Sequence, residues 1–220
     1  MSGSGATTFN GPLLLSGRSA RGLVGRTLNL HGTTTWNNNG GGGSEGQIDL
    51  VDGATINNHG LFEDQLGILD TSMRHVGGAL PVFNNFGTYR KSGVSSSHIN
   101  IAFNNSGTVE VVAGAALLNL AAGGVSTGGF IGEGGTLGFG GGTHSLTAAS
   151  SLVRGGPVTM SGGTVNVLGT YNAGGVLTVS GGTVNFGGTV LRAGSELVLS
   201  AGRANFGDIG GLSFDRLTQS

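Results

Sequence analysis

Short runs in which apolar and small polar residues alternate occupy most of this chain. Residues 99–101 (INI), 108–111 (TVEV), 164–167 (TVNV) and 177–179 (LTV) follow this pattern. Alternation with a period of two over such lengths predicts β-strands. Glycine pairs and Asn-Gly steps separate the runs, and these residues suit turns that require a positive φ. The most helix-like window, residues 113–122, aligns with strand-turn-strand segments elsewhere, so we expect an all-β chain.

The runs belong to a repeat with a period of about 20 residues. SGGTVN at residues 161–166 returns at residues 180–185, and a weaker copy occupies residues 200–205. Upstream, FNNFGT at residues 83–88 returns one period later as FNNSGT at residues 103–108. A fixed period of this length is typical of solenoid proteins, because each repeat buries its apolar face against the next one.

Short strands at this period predict a single-stranded parallel β-helix with about three strands in each coil. About ten coils of ~20 residues, stacked about 4.8 Å apart, would form a rod about 50 Å long. Side chains at equivalent positions should form ladders, with Val165 over Val184 and Asn166 over Asn185 and Asn205. Stacked asparagine amides can hydrogen-bond to one another along such a ladder. We expect the narrow interior to exclude ions.

Composition fits an ordered, repetitive chain. Glycine supplies 48 of 220 residues and proline only 3, which excludes collagen. Charged residues make up 10% of the chain and the net charge is −1, so we expect no nucleic-acid partner. The apolar runs are too short for membrane insertion. The absence of cysteine excludes disulfides, thiolate zinc sites and cysteine nucleophiles.

The pattern divides the chain into three parts. We interpret residues 1–7 as a leader or a disordered start and residues 8–207 as the β-solenoid. The step from Ile56 to the equivalent Phe83 is longer than the other steps, which predicts a longer loop near residues 61–81. Residues 208–220 carry more charge and break the repeat, so we expect a C-terminal cap or tail.

The FNNxGT pairs, the SGGTVN copies and the stretch LNLHGTTTW at residues 28–36 carry a resemblance. Together they resemble the glycine-rich β-helix repeats of bacterial autotransporter passengers, filamentous-haemagglutinin-like proteins and similar repetitive extracellular proteins. The resemblance covers roughly residues 28–207. It implies a right-handed solenoid, a secreted or cell-surface location, and an adhesive or scaffolding role. It supplies no catalytic residue.

The predicted loop contains the densest polar chemistry in the chain. Its candidate ligand-contact residues are Glu63, Asp64, Asp70, Arg74 and His75. Insertions in solenoids leave the stack as loops on one face, which is often the binding face. Contact with a sugar, another ligand or Ca²⁺ is one interpretation of this loop. A solvated loop around one irregular coil is the other.

A carbohydrate-active hydrolase or lyase is the alternative function. Such an enzyme needs two acids about 5–10 Å apart, or several oxygen ligands around a metal. Offsets close to one coil separate Glu45 from Asp64 and Asp52 from Asp70, so each pair could stack. Neither pair has a basic partner in its own copy, which favours exposed carboxylates. We therefore predict no catalytic residue, no metal ligand and no cofactor.

Two further patterns are weak. Residues 40–48 (GGGGSEGQI) resemble one calcium-binding nonapeptide with Glu45 in place of aspartate, but such sites need consecutive turns. A flexible glycine turn is the simpler interpretation. The histidines show no i,i+4 pairing, and we interpret them as turn or ladder residues. They are His31, His59, His75, His98 and His144.

Five threonines follow glycine at what the sequence suggests are equivalent repeat positions. They are Thr88, Thr108, Thr143, Thr164 and Thr183. A flat threonine array on a β-helix could bind ice, which makes an ice-binding solenoid a further alternative. That function requires paired Thr-x-Thr in register, and no such pair recurs. The preference of threonine for exposed strand positions explains the pattern more simply.

We therefore predict a non-enzymatic structural or adhesive segment of a larger bacterial surface or secreted protein. Its expected partner is a host or matrix receptor, either a glycan or a protein. Self-association is also expected, through the unpaired strand edges at the solenoid ends. Residues 155–191 contain no charged side chain and form a second candidate face for self-association.

Overall fold

The computed structural model describes residues 1–39, 45–207 and 214–220, and they form strands without any helix. No helix in these ranges could therefore cross a membrane. The strands are, in chain order, β1 Ala6–Phe9, β2 Leu13–Leu15, β3 Arg21–Val24, β4 Thr27–Leu30, β5 Thr33–Trp36, β6 Ile48–Val51, β7 Thr55–Asn58, β8 Leu61–Asp64, β9 Thr71–Gly77, β10 Val82–Asn85, β11 Thr88–Lys91, β12 Ser97–Asn100, β13 Ala102–Asn105, β14 Thr108–Val111, β15 Leu117–Leu120, β16 Gly124–Ser126, β17 Gly129–Ile131, β18 Thr136–Phe139, β19 Thr143–Leu146, β20 Ser151–Arg154, β21 Val158–Met160, β22 Thr164–Val167, β23 Thr170–Ala173, β24 Leu177–Val179, β25 Thr183–Phe186, β26 Thr189–Arg192, β27 Glu196–Leu199, β28 Arg203–Phe206 and β29 Arg216–Gln219.

The strands wind into a solenoid with three parallel sheets. Each complete coil contributes one strand to each sheet. Sheet I has the order β1-β4-β7-β10-β13-β16-β19-β22-β25-β28, and sheet II has β2-β5-β8-β11-β14-β17-β20-β23-β26. Sheet III has β3-β6-β9-β12-β15-β18-β21-β24-β27-β29. These orders confirm the predicted parallel β-helix of about ten coils.

The predicted side-chain ladders are present. Val165 pairs with Val184 between β22 and β25, and both side chains are buried. Asn166 pairs with Asn185, and the Nδ2 of Asn185 donates to the Oδ1 of Asn166 at 2.8 Å. Asn205 extends this ladder by one rung, with a donor–acceptor distance of 2.7 Å. Valine faces the core and asparagine faces outward because successive strand residues point to opposite sides of a sheet.

Aromatic rings stack inside the solenoid along two of the sheets. Phe62 and Tyr89 stack in sheet II with ring centroids 5.2 Å apart. Phe83 and Phe103 stack in sheet I with ring centroids 5.2 Å apart. The two stacks meet edge to face, with Phe62 and Phe83 centroids 5.3 Å apart. Offset and edge-to-face contacts add about 0.5–1.5 kcal/mol per pair beyond area burial, so this cluster anchors the central coils.

Glycine is required where one coil crosses closely over the next. Gly163, between sheets III and I, has a φ of +68°, and a Cβ there would overlap the carbonyl oxygen of Gly142. Gly87, between sheets I and II, has a similar restriction against the carbonyl oxygen of Gly60. The SGGT and NNxGT motifs therefore mark different corners of the coil, although both flank strands of sheet I.

The predicted leader and tail differ from the structure. β1 begins at Ala6, and Ser2 forms an isolated bridge with Val24, so residues 1–7 already join the solenoid. At the other end, β29 pairs in parallel with β27 and continues sheet III instead of breaking the repeat. Alternation in RLTQ supports this strand despite its charged first residue. Residues 208–213 of the predicted tail lie outside the described residues.

The coil that contains β7, β8 and β9, which we call the long coil, follows another coil of similar length, and its extra residues do not form one loop near residues 61–81. Compared with the next coil, the long coil has one extra residue between β8 and β9, three extra residues within β9, and three extra residues between β9 and β10. A register shift beside Leu50 and Val51 accommodates the longer strand. The expected loop is wrong because residues 61–64 and 71–77 form β8 and β9, which pair in register with strands of the neighbouring coils although they carry charged residues.

The uncharged residues 155–191 are not a face of the rod. They contain β21 to β25 and all of β26 except its last residue, Arg192, and so supply strands to every sheet. This stretch is a neutral band around the solenoid, because a run of nearly two coils must pass every side. The stretch is therefore not confined to one side of the rod, and self-association through it stays a prediction.

Candidate functional site

The five predicted contact residues do not share one surface. Glu63 and Asp64 lie on β8, Arg74 and His75 on β9, and Asp70 lies in the connection between these strands. Asp64 has no exposed surface, whereas Glu63 is on the outer face of sheet II. The structure therefore does not bring the five side chains together as one ligand-contact loop.

Asp64 belongs to a buried polar cluster inside the long coil. Its Oδ1 accepts a hydrogen bond from the Nζ of Lys91 at 3.0 Å, and its Oδ2 accepts one from the hydroxyl of Tyr89 at 2.9 Å. Lys91 also donates to the Oγ of Ser97 at 2.8 Å. Neither charged side chain has exposed surface. The expectation that the interior excludes ions is wrong here, because the two charges enter as a hydrogen-bonded pair.

Burial shifts the proton affinities in this cluster. Desolvation lowers the pKa of Lys91, and the charge and hydrogen bond of Asp64 oppose that shift. Desolvation also raises the pKa of Tyr89 well above its usual value, and the negative charge of Asp64 acts in the same direction. The cluster is enclosed, so a substrate cannot reach it. Its chemistry is that of a structural clamp between coils.

Glu63 and Arg90 belong to a separate charged ladder on the outside of sheet II. The Nε of Arg90 lies 2.7 Å from the Oε2 of Glu110, and its Nη1 lies 3.7 Å from the Oε2 of Glu63. Ser92 also hydrogen-bonds Glu63. An arginine between two glutamates offsets one of their two negative charges and bridges them, so this ladder joins three successive coils.

Asp70, Arg74 and His75 have local partners of their own. Asp70 accepts a hydrogen bond from the backbone N–H of Ser96 at 2.6 Å. Arg74 forms an ion pair with Asp49 on sheet III, with Nε and Oδ1 2.6 Å apart. The Nε2 of His75 is 3.1 Å from the carbonyl oxygen of Gly78 at the end of its own strand.

The predicted stacking of Glu45 on Asp64 and of Asp52 on Asp70 is wrong. Asp64 is in register with Trp36 in the preceding coil and with Lys91 in the following one. The backbone N–H of Asp52 donates to Gly77. An offset of one ordinary period fails in this part of the chain because the coil is longer there. The glycine-rich stretch before Glu45 cannot be placed, since residues 40–44 lie outside the described residues.

Sequence reasoning missed a second buried cation, Arg154. Its Nη2 donates to the carbonyl oxygens of Gly134 and Gly135 at 2.8 and 2.9 Å. Burial lowers its pKa to about 10. Burial also raises the pKa of the enclosed Tyr171. The available signal was the glycine at position 132, which lies between Val111 and Arg154 in the inward column and leaves room for a long side chain.

The histidines occupy turn and ladder positions, and one is buried. His31 and His59 stack at the corner between sheets I and II, with ring centroids 4.6 Å apart. His144 points inward from β19, and its Nε2 is 3.1 Å from the carbonyl oxygen of Leu120. Burial lowers the pKa of His144 to about 4. Within the described ranges, no three histidine or acidic side chains gather where they could hold a metal ion.

The five threonines divide between two sheets. Thr88 and Thr108 pair in sheet II, whereas Thr143, Thr164 and Thr183 form a row in sheet I. The predicted equivalence of all five is wrong, because Gly-Thr occurs at two different corners of the coil. A single continuous array of these threonines therefore does not exist.

The outer side of sheet I is a long surface without charged side chains. From β4 to β25 its strands contain no Asp, Glu, Lys or Arg. A row of asparagines runs along this side: the Nδ2 of Asn57 donates to Asn29, that of Asn84 to Asn57, and that of Asn104 to Asn84, each at 2.9 Å. We call this surface the neutral face.

The asparagine row stops at a notch in the neutral face. The notch has a volume of about 290 Å³ and includes Asn84, Phe86, Asn104, Ser106, Val125 and Thr127 in its lining. Beside it, Gly123 and Gly124 have positive φ values of 83° and 145°, and β16 is only three residues long. β16 pairs with β13 at a single position, Asn105 with Ser126.

A larger, apolar cavity of about 330 Å³ lies within the first coils. Leu28, Leu30, Ile56 and Phe62 line it, and Arg21 is the polar side chain at its edge. The guanidinium of Arg21 already donates to backbone carbonyls, so this cavity offers a ligand little beyond apolar contact.

No protein family, curated protein or solved structure matches this chain.

Proposed function

We propose that this chain is a non-enzymatic structural and adhesive segment of a bacterial surface or secreted protein. The residue-by-residue register of about ten coils carries this proposal, because such a stack forms a stiff rod. At about 4.8 Å per coil, the rod spans roughly 50 Å.

The charged side chains support a mechanical role. Each ion pair among the described residues joins one coil to the next: Arg74–Asp49, Arg90–Glu63, Arg90–Glu110, Lys91–Asp64, Arg192–Asp215 and Arg216–Glu196. Side chains that bind neighbouring coils together resist sliding of one coil over another. They are also occupied, whereas catalytic acids must be available to a substrate.

The neutral face supports the adhesive part of the proposal. From β4 to β25 it presents amide, hydroxyl and small apolar groups along the rod, whereas the strands of sheets II and III beside it carry charged residues. Such groups suit contact with an uncharged glycan or a polar protein surface. The extracellular, bacterial location follows from the resemblance of the repeats and remains part of this proposal.

Bead adhesion tests the proposal and separates it from the carbohydrate-active alternative. Beads that carry the whole chain are exposed to surfaces coated with glycans or matrix proteins, and the same chain is incubated with soluble polysaccharides. We expect adhesion to at least one coated surface and no release of reducing or unsaturated sugar ends. Adhesion should persist in the double variant Glu63→Gln/Arg74→Gln, since these residues form coil-to-coil pairs. Polysaccharide cleavage that this variant loses would favour the enzyme.

A further inference from the structure

We propose that the notch in the neutral face binds a neutral carbohydrate, with one sugar ring stacked on Phe86. This gives the adhesive surface of the proposed function a place and a ligand class, and so it rests in part on that function. The notch lies where the asparagine row that begins on β4 ends, beyond β13, and it combines an aromatic ring with amide and hydroxyl groups.

Phe86 provides the stacking surface. Its side chain is 49% exposed although it is large and apolar. One side of the ring stacks on His59, with centroids 4.8 Å apart and planes at 15°. The next residue at this corner is Ser106, which is too small to cover the opposite side of the ring. A sugar presents a face of C–H groups, and an aromatic face is its natural apolar partner.

The asparagine row provides hydrogen bonds beside that ring. An amide side chain has two N–H donors and an oxygen with two lone pairs. Asn104 uses one N–H on Asn84 and one lone pair on the backbone N–H of Val125. Asn84 uses one N–H on Asn57 and one lone pair on Asn104. Each amide therefore keeps one donor and one acceptor site for a ligand hydroxyl.

Exposed hydroxyls complete the lining. Ser106 and Thr127 are both exposed on the side of the notch next to sheet II. A hydroxyl can donate and accept at once, as sugar hydroxyls do. Val125 adds an apolar side chain that is 52% exposed. Alternating apolar and hydrogen-bonding groups match the amphipathic surface of a pyranose ring.

Charge selects a neutral sugar. The notch lining contains no Asp, Glu, Lys or Arg, and neither do the strands of sheet I around it. An acidic sugar would lose hydration there without gaining a counter-ion, which is unfavourable. The volume of about 290 Å³ is near the lower end of ligand sites, so one or two rings fit. We expect weak binding, with a Kd of about 1 mM, which many copies of the chain on one bead would strengthen by avidity.

Ligand-observed NMR on the whole chain tests the site. The probes are the methyl glycosides of glucose, galactose, mannose and N-acetylglucosamine, with glucuronic acid as the charged comparison. We expect saturation transfer to at least one neutral probe and none to glucuronic acid. Phe86→Ala should weaken that binding about tenfold, the equivalent of one lost stacking contact. Ser106→Ala should weaken it less and leaves the ring in place.

Leu168→Ala is the matched control. Leu168 is 52% exposed and follows β22 at the same corner of a later coil, outside the notch. Its loss removes similar apolar surface, so binding should stay unchanged. Four results would each overturn the proposal. They are binding by Phe86→Ala as tight as that of the unaltered chain, a loss of binding in Leu168→Ala as large as that in Phe86→Ala, a preference for glucuronic acid, and no saturation transfer to any neutral probe. Bead adhesion without sugar binding would refute only the proposal that the notch is a sugar site. Sugar binding without bead adhesion would refute the proposed adhesive function of the rod.

Discussion

Lys91 and Asp64 form an ion pair that is fully enclosed between two coils, with Nζ and Oδ1 3.0 Å apart. The pair shows how this solenoid tolerates charge. Each charge is acceptable inside only while the other one is present, because both side chains are fully buried and bulk solvent cannot solvate a charge left alone. Tyr89 and Ser97 complete the hydrogen bonds of the pair.

Removing one partner of this pair should be severe. Lys91→Met leaves the carboxylate of Asp64 buried without its cation, and we expect a loss of about 3–5 kcal/mol in the free energy of unfolding. The double variant Lys91→Met/Asp64→Leu should recover most of that loss, since it removes both charges. Urea unfolding followed by circular dichroism measures both. Arg192→Met, which breaks the exposed ion pair with Asp215, is the control and should cost less than about 1 kcal/mol. A double variant as unstable as the single one would contradict the paired-charge explanation.

Stability should fall in mild acid because of His144. Its pKa is 6.5 in the unfolded chain and about 4 in the folded one, where burial disfavours the imidazolium. Between these values the unfolded state binds a proton that the folded state does not, so lowering the pH favours unfolding. The contribution lost between pH 6.5 and pH 4 is roughly 3 kcal/mol.

The His144→Leu variant isolates this effect. We measure the free energy of unfolding of both proteins from pH 7.5 to pH 4. Over this range the variant should lose roughly 3 kcal/mol less than the unaltered chain, because it lacks the contribution of His144. Parallel pH profiles for the two proteins would show that His144 does not titrate between these states.

Corner glycines should be intolerant where coils cross. Gly163→Ala places a Cβ against the carbonyl oxygen of Gly142 at a positive φ, so we expect a loss of about 1–3 kcal/mol. Gly22→Ala is the matched control, because a Cβ there meets nothing within 4 Å and φ is not positive. It should be neutral or stabilising by up to about 1 kcal/mol. Thermal and urea unfolding of both variants would decide, and equal effects would refute the crossing argument.

The last strand should protect the end of sheet III. Deleting residues 207–220 removes β29 and leaves the backbone edge of β27 unpaired. Unpaired parallel edges bind further strands, so we expect association that grows with concentration. Light scattering measures it. A truncated chain that stays monomeric at high concentration would show that β29 is dispensable as a cover.

The sequence predicted the winding and the ladders well, because those depend on local alternation and on a period that repeats. Val165 and Val184 illustrate this, since the same six-residue motif specifies both. The prediction failed where two successive coils, from β4 to β7 and from β7 to β10, are longer than the rest. Asp64 pairs with Lys91 across the second of them, and a search at the ordinary period could not reveal the pairing.

The candidate site was less predictable for a related reason. Charge density drew attention to Glu63 and Arg74, but each of these residues forms an ion pair with a residue of an adjacent coil. Glu63 lies on sheet II and Arg74 lies on sheet III. The notch lies beside Gly123 and Gly124, which have positive φ values, and beside the short strand β16. A glycine pair in a chain with 48 glycines gives no sign of which pair opens a surface. Only the stacked arrangement places Phe86 beside Val125.

The long coil around β8 and β9 shows that one circuit can take in several more residues while β7 and β8 keep the register of their neighbours on both sides. The number of residues in one coil can therefore change without changing the strand register of the rest of the solenoid. A peptide or small domain inserted between Gly78 and Pro81 would project from the solenoid at the end of β9 and leave the stacked coils intact. The architecture thus lends itself to display, since new segments can be added at a single circuit without redesigning the others.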